Sequence, residues 1–178
     1  MRLKIELFGI IVYFLSLKEI NLRKLDQKLI DDLYSNNYNL NEISLTNQSI
    51  TSIDMNTFKN YKNLFGLNLR FNNLDWFDSK VFLHTPNLTN ILLGFNNFTH
   101  LNSSLFYHMR KLRALDLVSN RISYIEPDTF KNLINLQVLW LTTNELVSIH
   151  WKTLNPLINL KTLMIGNNNL DILPENII

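Results

Sequence analysis

The 178-residue sequence contains no cysteine. This absence excludes a disulfide framework, a zinc site built on thiolates and catalysis by a thiol. The sequence also lacks a Gly-rich phosphate loop, an HExxH motif and a nucleophile elbow, and its acidic residues and histidines do not converge on one place. We therefore expect no enzymatic activity, no cofactor and no metal site.

A strong charge of either sign is absent as well. The formal net charge is +2, from 17 Lys and Arg against 15 Asp and Glu, and the basic residues are scattered instead of forming a stripe. Such a distribution gives no reason to expect nucleic acid or an acidic membrane surface as a partner.

The amino-terminal apolar run is too short to span a bilayer, which takes about 20 residues as a helix. It covers residues 7–17 and follows Arg2 and Lys4, which is the layout of a secretory signal peptide. Glu6 and the lack of a small-x-small cleavage site depart from that layout. We predict that residues 1–17 are a signal peptide or a short membrane anchor, and the alternative is an apolar capping helix.

The main feature that the sequence does contain is one pattern, LxxLxLxxNxL, present in six copies. The copies start at a constant spacing and without an insertion, at Leu40, Leu64, Leu88, Leu112, Leu136 and Leu160. This period and this string are typical of leucine-rich repeats, and the chain resembles that family from about residue 22 to its end. The alternating xLxLx core of each copy predicts a strand with one buried face.

The path between successive strands determines the predicted fold. A return path of some twenty residues makes neighbouring strands parallel, with right-handed crossovers. The return path shows no helical periodicity, and one of its slots holds Phe58, Phe82, Phe106 and Phe130. We predict an α/β-type repeat solenoid, a leucine-rich-repeat horseshoe with a parallel sheet on the concave face and an irregular, largely non-helical convex side. The 24-residue form with a Phe slot resembles the class of extracellular animal proteins such as chaoptin and the Toll-like receptor ectodomains.

The segments at the two ends of the repeats differ from the pattern. Residues 18–39 are predicted to be an amino-terminal cap, a degenerate half-repeat with a short amphipathic helix indicated by four leucines, Leu22, Leu25, Leu29 and Leu33. Residues 40–178 contain the six repeats. Because Ile178 falls on the Phe slot of the sixth repeat, we expect the last repeat to be incomplete. Its strand, residues 160–165, would then be an open edge that permits edge-to-edge self-association.

The asparagine of each repeat lies where the chain leaves the strand and turns inward. Backbone N–H and C=O groups lose their strand partners there, and a short side-chain amide can satisfy them in its own and the adjacent coil. We predict a ladder of amides that begins with a glutamine, formed by Gln48, Asn72, Asn96, Asn120, Asn144 and Asn168.

The residues between the strand leucines point to the concave face, where relatives of this family usually bind partners. Trp140 has no core to fill there, and an apolar patch with a polar rim is typical of a partner surface. The predicted contact residues are Trp140, Met164, Leu92, Val118, Asp116, Arg70, Phe71 and Phe95. Isolated exposed apolar residues are also common on surfaces that bind nothing, which is the alternative.

We therefore predict a non-enzymatic module, secreted or at the cell surface, that binds a protein ligand through its concave face. Membrane contact is expected only through the amino-terminal anchor. One alternative is an intracellular scaffold or regulator in the cytoplasm, which the absence of cysteine and the closing LPENI segment, residues 173–177, would suit. Others are a fragment of a larger receptor or a regulatory part of a larger enzyme.

Two minor patterns remain. Four Asn-x-Ser/Thr sequons are candidate glycosylation sites, at Asn47, Asn87, Asn97 and Asn102, and Asn102 is expected to be the most accessible. His84 and His108 stand one repeat period apart, but no third ligand lies in register, so we expect a solvated pair. His100 and His150 lie beside buried slots, and no partner is evident for either.

Overall fold

A computed structural model describes residues 4–7, 10–13 and 23–171. Strands β1 (Lys4–Leu7) and β2 (Ile10–Tyr13) form an antiparallel pair, which is not the capping helix considered as an alternative. The other residues of segment 1–17 lie outside the described part, so its assignment as a signal peptide or anchor stays a prediction. Among the described residues, no helix is long and apolar enough to cross a membrane.

The cap consists of strand β3 (Arg23–Leu25) and helix α1 (Gln27–Tyr34), whose N-cap Asp26 accepts a hydrogen bond from Leu29 N at 2.9 Å. The helix buries Ile30, whereas Leu33 is 48% exposed. The prediction of one amphipathic helix through four leucines is therefore wrong for Leu25, which lies in a strand, whereas Leu29 and Leu33 do lie in α1. Leu22 is outside the described residues.

Nine short strands follow the cap in the described part of the chain. They are β4 (Glu42–Ser44), β5 (Ile50–Ile53), β6 (Gly66–Asn68), β7 (Asn90–Leu92), β8 (His100–Leu101), β9 (Ala114–Asp116), β10 (Tyr124–Ile125), β11 (Val138–Trp140) and β12 (Thr162–Met164). Six of them form one parallel sheet in the order β12-β11-β9-β7-β6-β4. Every pair in it joins equivalent positions of successive repeats, such as Leu67 with Ile91 and Leu115 with Leu139. The predicted parallel sheet is confirmed.

The return paths are mostly turns. They contain a 3₁₀ turn (Ser79–Phe82), the four-residue helix α2 (Trp151–Leu154), and the small parallel pairs β3–β5 and β8–β10. This confirms the irregular, largely non-helical convex side. Residues 172–178 lie outside the described part, so the incomplete last repeat and self-association through the edge at β12 stay predictions.

The phenylalanine slot forms a continuous aromatic row inside the return paths. Phe58 stacks on Phe82 with ring centroids 5.4 Å apart, and Phe106 meets Phe130 at 5.8 Å. Phe77 joins the two pairs through edge contacts with Phe82 and Phe106, at 5.5 and 6.2 Å. All five rings are at most 3% exposed. Packing of this row therefore links successive coils on the side opposite to the main sheet.

The asparagine side chains form a ladder with a direction. Asn120 Nδ2 donates to Leu117 O in its own coil and to Leu93 O in the preceding coil, both at 3.1 Å, and its Oδ1 accepts from Phe98 N at 3.1 Å. The same bonds recur at the four other asparagines, Asn72, Asn96, Asn144 and Asn168. Each amide thus satisfies backbone groups of the coil before it.

Gln48 does not take part in the ladder. Its Nε2 reaches only Thr46 O, at 3.1 Å, within its own coil. The backbone N–H groups of Gln48 and Ile50 instead donate to Asn72 Oδ1, both at 3.0 Å. Each ladder amide bonds backbone groups of the preceding coil, and the first coil is preceded by the cap and not by a repeat. The longer glutamine therefore leaves no backbone group of a repeat without a partner. Its assignment to the ladder is wrong.

Two tyrosines join the cap to the first repeat. The Tyr34 hydroxyl donates to Ser44 O at 2.9 Å and accepts from Ser44 N at 2.8 Å, so it occupies the outer edge of β4. The buried Tyr61 hydroxyl accepts from Gln27 Nε2 at 3.1 Å and donates to Asp31 Oδ1 at 3.3 Å. Burial of this phenol raises the pKa of Tyr61 to about 12. The cap therefore closes the first edge of the sheet.

We expect Asn120→Ala to lower the free energy of unfolding by about 1–3 kcal/mol, because it leaves buried backbone groups without partners. Gln48→Ala is the matched control and should cost less than about 0.5 kcal/mol, the range of ordinary surface substitutions. Urea denaturation followed by circular dichroism measures both. Equal losses in the two variants would contradict the direction of the ladder.

Candidate functional site

The exposed face of the main sheet contains a groove of about 520 Å³, which we call the concave groove. It extends from Tyr34, beside β4, to Trp140 on β11. The residues between them include three with small side chains, which leave space above the sheet: Ser44, Gly66 and Ala114. The strands supply this surface because every second side chain of a strand points away from the core.

The structure separates the predicted apolar patch into two parts. Trp140 and Leu92 are half-buried, and both line the concave groove. Met164 pairs with Trp140 in register and is 50% exposed, and Val118 is half-buried, but neither lines the groove. Only part of the predicted patch therefore belongs to this cavity.

Asp116 is not an exposed contact residue, as the alternation of the strand had suggested, because its side chain is 0% exposed. Arg70 Nε donates to Asp116 Oδ2 at 2.5 Å, and Val118 N donates to Oδ1 at 2.9 Å. The Arg70 side chain remains 36% exposed. Asp116 therefore neutralises and positions Arg70, which is the accessible member of the pair.

A glycine in the intervening coil makes this ion pair sterically feasible. A Cβ at Gly94 would lie 2.9 Å from Asp116 Oδ2 and 3.2 Å from the backbone oxygen of Val118. Contacts this close are repulsive, so a side chain at this position would displace the carboxylate. The absence of a side chain lets Arg70 reach a carboxylate two repeats farther along the chain.

A second glycine accommodates a second carboxylate, one that sequence reasoning missed. A Cβ at Gly66 would lie 3.0 Å from Glu42 Cγ and 3.3 Å from Glu42 Oε1. Glu42 therefore lies over Gly66, its register partner on β6, and both residues line the concave groove. The sequence feature that could have indicated Glu42 is Gly66. Glycine is disfavoured in strands, and where it occurs another group often lies close to the backbone.

Phe71 and Phe95 form a separate exposed pair, three residues after the ends of β6 and β7. Their rings stack with centroids 4.3 Å apart and 13° between planes, and the side chains are 47% and 43% exposed. Both residues have φ of 57°, the left-handed region that side-chain-bearing residues adopt only at a cost. They lie outside the groove lining, so their role as contacts stays a prediction.

The four sequons differ in their surroundings. Asn47 is exposed, whereas Asn97 and Asn102 are only half-exposed, so the expectation that Asn102 is the most accessible is wrong. Asn87 is exposed, but its Nδ2 donates to Lys62 O at 3.3 Å and its Oδ1 accepts from Lys111 Nζ at 3.1 Å. A glycan attached to Asn87 would therefore leave one Nδ2 hydrogen for the bond to the preceding coil.

His100 and His150 each have a neighbour, so the expectation that neither has a partner is wrong. His100 stacks on Tyr124 at 5.0 Å, and its Nε2 lies 3.5 Å from Glu126 Oε1. The backbone N–H of Ser103 lowers the pKa of Glu126. His150 caps α2, because its Nδ1 accepts from Lys152 N at 3.1 Å. Within residues 23–171, no group of three or more His, Asp or Glu is placed to hold a metal ion.

We expect Gly94→Ala to destabilise the fold by about 1–3 kcal/mol, the usual cost of overpacking, since the new methyl group meets a buried carboxylate and a backbone oxygen. Gly166→Ala is the matched control: it occupies the equivalent position three repeats farther along, and a Cβ there meets nothing within 4 Å. Thermal unfolding of both variants tests this. A cost at Gly166 as large as that at Gly94 would mean that the lost space is not the cause.

Similar folds occur among solved structures. A leucine-rich-repeat protein of Leptospira interrogans matches with a TM-score of 0.70 at 29% identity, over 85% of this chain and 36% of that one. TLR13, solved in complex with ssRNA13, matches with 0.68 at 29% identity, over 72% of this chain and 18% of that one. The LRIM1/APL1C complex contains a chain that matches with 0.69 at 26% identity, over 85% of this chain and 27% of that one. The chain thus spans little more than a third, or less, of each of these proteins.

The sequence comparisons show the family. No protein of curated function matches the chain. The family model described as leucine rich repeat matches residues 38–98 and 86–146, which together make up more than half of the chain. The matched residues contain the strands β4 to β11 and four of the five ladder asparagines. This chain belongs to the leucine-rich repeat family.

Proposed function

We propose that this chain binds a protein partner and that the concave groove between Tyr34 and Trp140 receives a segment of it. Leucine-rich repeats are protein-interaction modules, and solenoids of this kind present extended concave surfaces. The observation that carries the proposal is Trp140, a half-buried indole at one end of a groove of about 520 Å³. Tryptophan in such a setting is typical of residues that contribute much of the binding energy at interfaces.

The charge of this face supports a protein partner over a nucleic acid. We considered the outward positions of the six strands and the residues just after them, within residues 23–171. Arg70 is the one basic side chain at these positions, and Asp116 neutralises its charge. A polyanion binds through several free cations. The solved TLR13 complex contains ssRNA, and that ligand belongs to TLR13.

Secretion or display at the cell surface forms a second part of the proposal. It is supported by the basic and apolar layout of residues 1–17 and by the exposed sequon at Asn47. Expression of the full chain in animal cells followed by N-glycosidase digestion tests it. A cytosolic chain without a mobility shift would favour the intracellular scaffold instead.

We expect Trp140→Ala to abolish binding of peptides that a display library yields against the wild-type chain. The free energy of unfolding should change by about 1 kcal/mol or less, because this side chain fills no core. Trp151→Ala is the matched control, since Trp151 is 52% exposed on α2, away from the concave face, and its removal should leave binding unchanged. Biolayer interferometry measures binding, and thermal unfolding measures stability.

The two variants also define the outcome that contradicts the proposal. If the selected peptides bind Trp140→Ala as tightly as the wild type, the groove is not their site. If both variants lose binding together with stability, the effect comes from the fold.

A further inference from the structure

We define the concave face as the outward positions of the six strands and the residues just after them, and within residues 23–171 one charge at these positions has no compensating neighbour. Three of its side chains are charged, and two of them, Arg70 and Asp116, form the ion pair that crosses Gly94. The third is Glu42, which is exposed and forms no ion pair within the described residues. The face therefore has a net charge of −1, although the whole chain has a formal charge of +2.

This charge belongs to the lining of the groove. Glu42 lines the groove and lies over Gly66, where a Cβ would be 3.3 Å from its Oε1. Of the residues that line the cavity, Glu42 alone is charged, and Asn68 and Asn90 supply uncharged amides. The Glu42 side chain occupies the space that a side chain at Gly66 would take, and because Glu42 is exposed, a group that enters the groove can approach its carboxylate.

The size of the groove limits what can fill it. From β4 to β11 there are four strand spacings of about 4.8 Å, or roughly 19 Å in all. An extended peptide covers that distance with about six residues at about 3.3 Å each. Trp140 provides apolar surface at one end and Leu92 at the middle strand, β7, and Glu42 provides negative charge at the other end.

We propose that the occupant is an extended segment of about six residues of a protein partner, with an arginine or lysine at the Glu42 end and an apolar side chain at the Trp140 end. This rests on the proposed function and adds the chemistry of the partner to it. The carboxylate of Glu42 pairs with the cation. Tyr34 lines the same end of the groove as Glu42, and its aromatic ring offers a second surface for the cation. A segment with an acidic residue at that end is rejected by charge repulsion.

The probes are capped hexapeptides with arginine at one end, leucine at the other and four alanines between them, made in both sequence orders. The matched probes have citrulline, the uncharged isostere, in place of arginine. Titration into the ¹⁵N-labelled full chain yields the dissociation constants and shows which backbone amides shift. We expect the arginine peptide of one order to bind about two- to fivefold more tightly than its citrulline counterpart, the range of an exposed ion pair, with shifts at Gly66 and Ala114.

Two variants test the assigned carboxylate. Glu42→Gln should make arginine and citrulline peptides bind equally. Gly66→Ala should do the same by displacing Glu42, with little loss of stability because only a flexible exposed side chain has to move. Glu145→Gln removes an exposed carboxylate outside the groove and should leave the preference intact, which controls for the change in net charge.

The inference is overturned if arginine and citrulline peptides bind the wild type equally, if none of them binds, or if the preference survives Glu42→Gln. In each case the proposed function still stands when Trp140→Ala abolishes binding of the display-selected peptides. If those peptides bind Trp140→Ala normally, the proposed function itself is wrong.

Discussion

The backbone groups that turn inward after each strand need hydrogen-bond partners, and the asparagine of the next coil supplies them. Asn120 bonds Leu93 O and Phe98 N of the coil before it, and Asn144 bonds Leu117 O and Ile122 N in the same way. Each amide meets the same atoms one coil back, and the asparagines follow one another at a constant spacing. This constant spacing aligns equivalent side chains into straight columns across the sheet, and the concave groove is built from those columns.

Much of this fold could be predicted from the sequence because the same pattern of buried residues occurs six times. A buried slot that holds leucine or isoleucine six times is recognisable even when one copy deviates, so the strands, their parallel register and the buried face followed from the period. The cap occurs once and has no such redundancy. Three- and four-residue spacing over a short segment cannot separate one helix from a strand followed by a helix, and Leu25 was therefore assigned to the wrong element.

The candidate site was predicted less well, since its geometry depends on residues one or two coils away. Alternation places Asp116 outward, and that is correct for the direction of its Cα–Cβ bond. Its burial follows from Arg70, which lies two coils earlier, and from the missing side chain at Gly94. Glu42 was overlooked for the converse reason, because its position in the groove depends on Gly66. In both cases a glycine, Gly66 in β6 and Gly94 just after β7, marks where a carboxylate lies close to a neighbouring backbone.

The first coil, at the capped end of the sheet, has its backbone groups satisfied from both sides. Each coil is satisfied by the one after it, so the first coil needs no ladder asparagine of its own and can hold Gln48. What the first coil lacks is a strand partner on its outer edge, and the Tyr34 hydroxyl supplies both bonds there. The same tyrosine forms one end of the groove. Closing the sheet edge and shaping the groove are thus done by one side chain, and a peptide lying from Tyr34 to Trp140 would contact five consecutive strands. In a solenoid, where stability depends on contacts between neighbouring coils, such a ligand adds bonds across four coil boundaries at once, as the Arg70–Asp116 pair does across two.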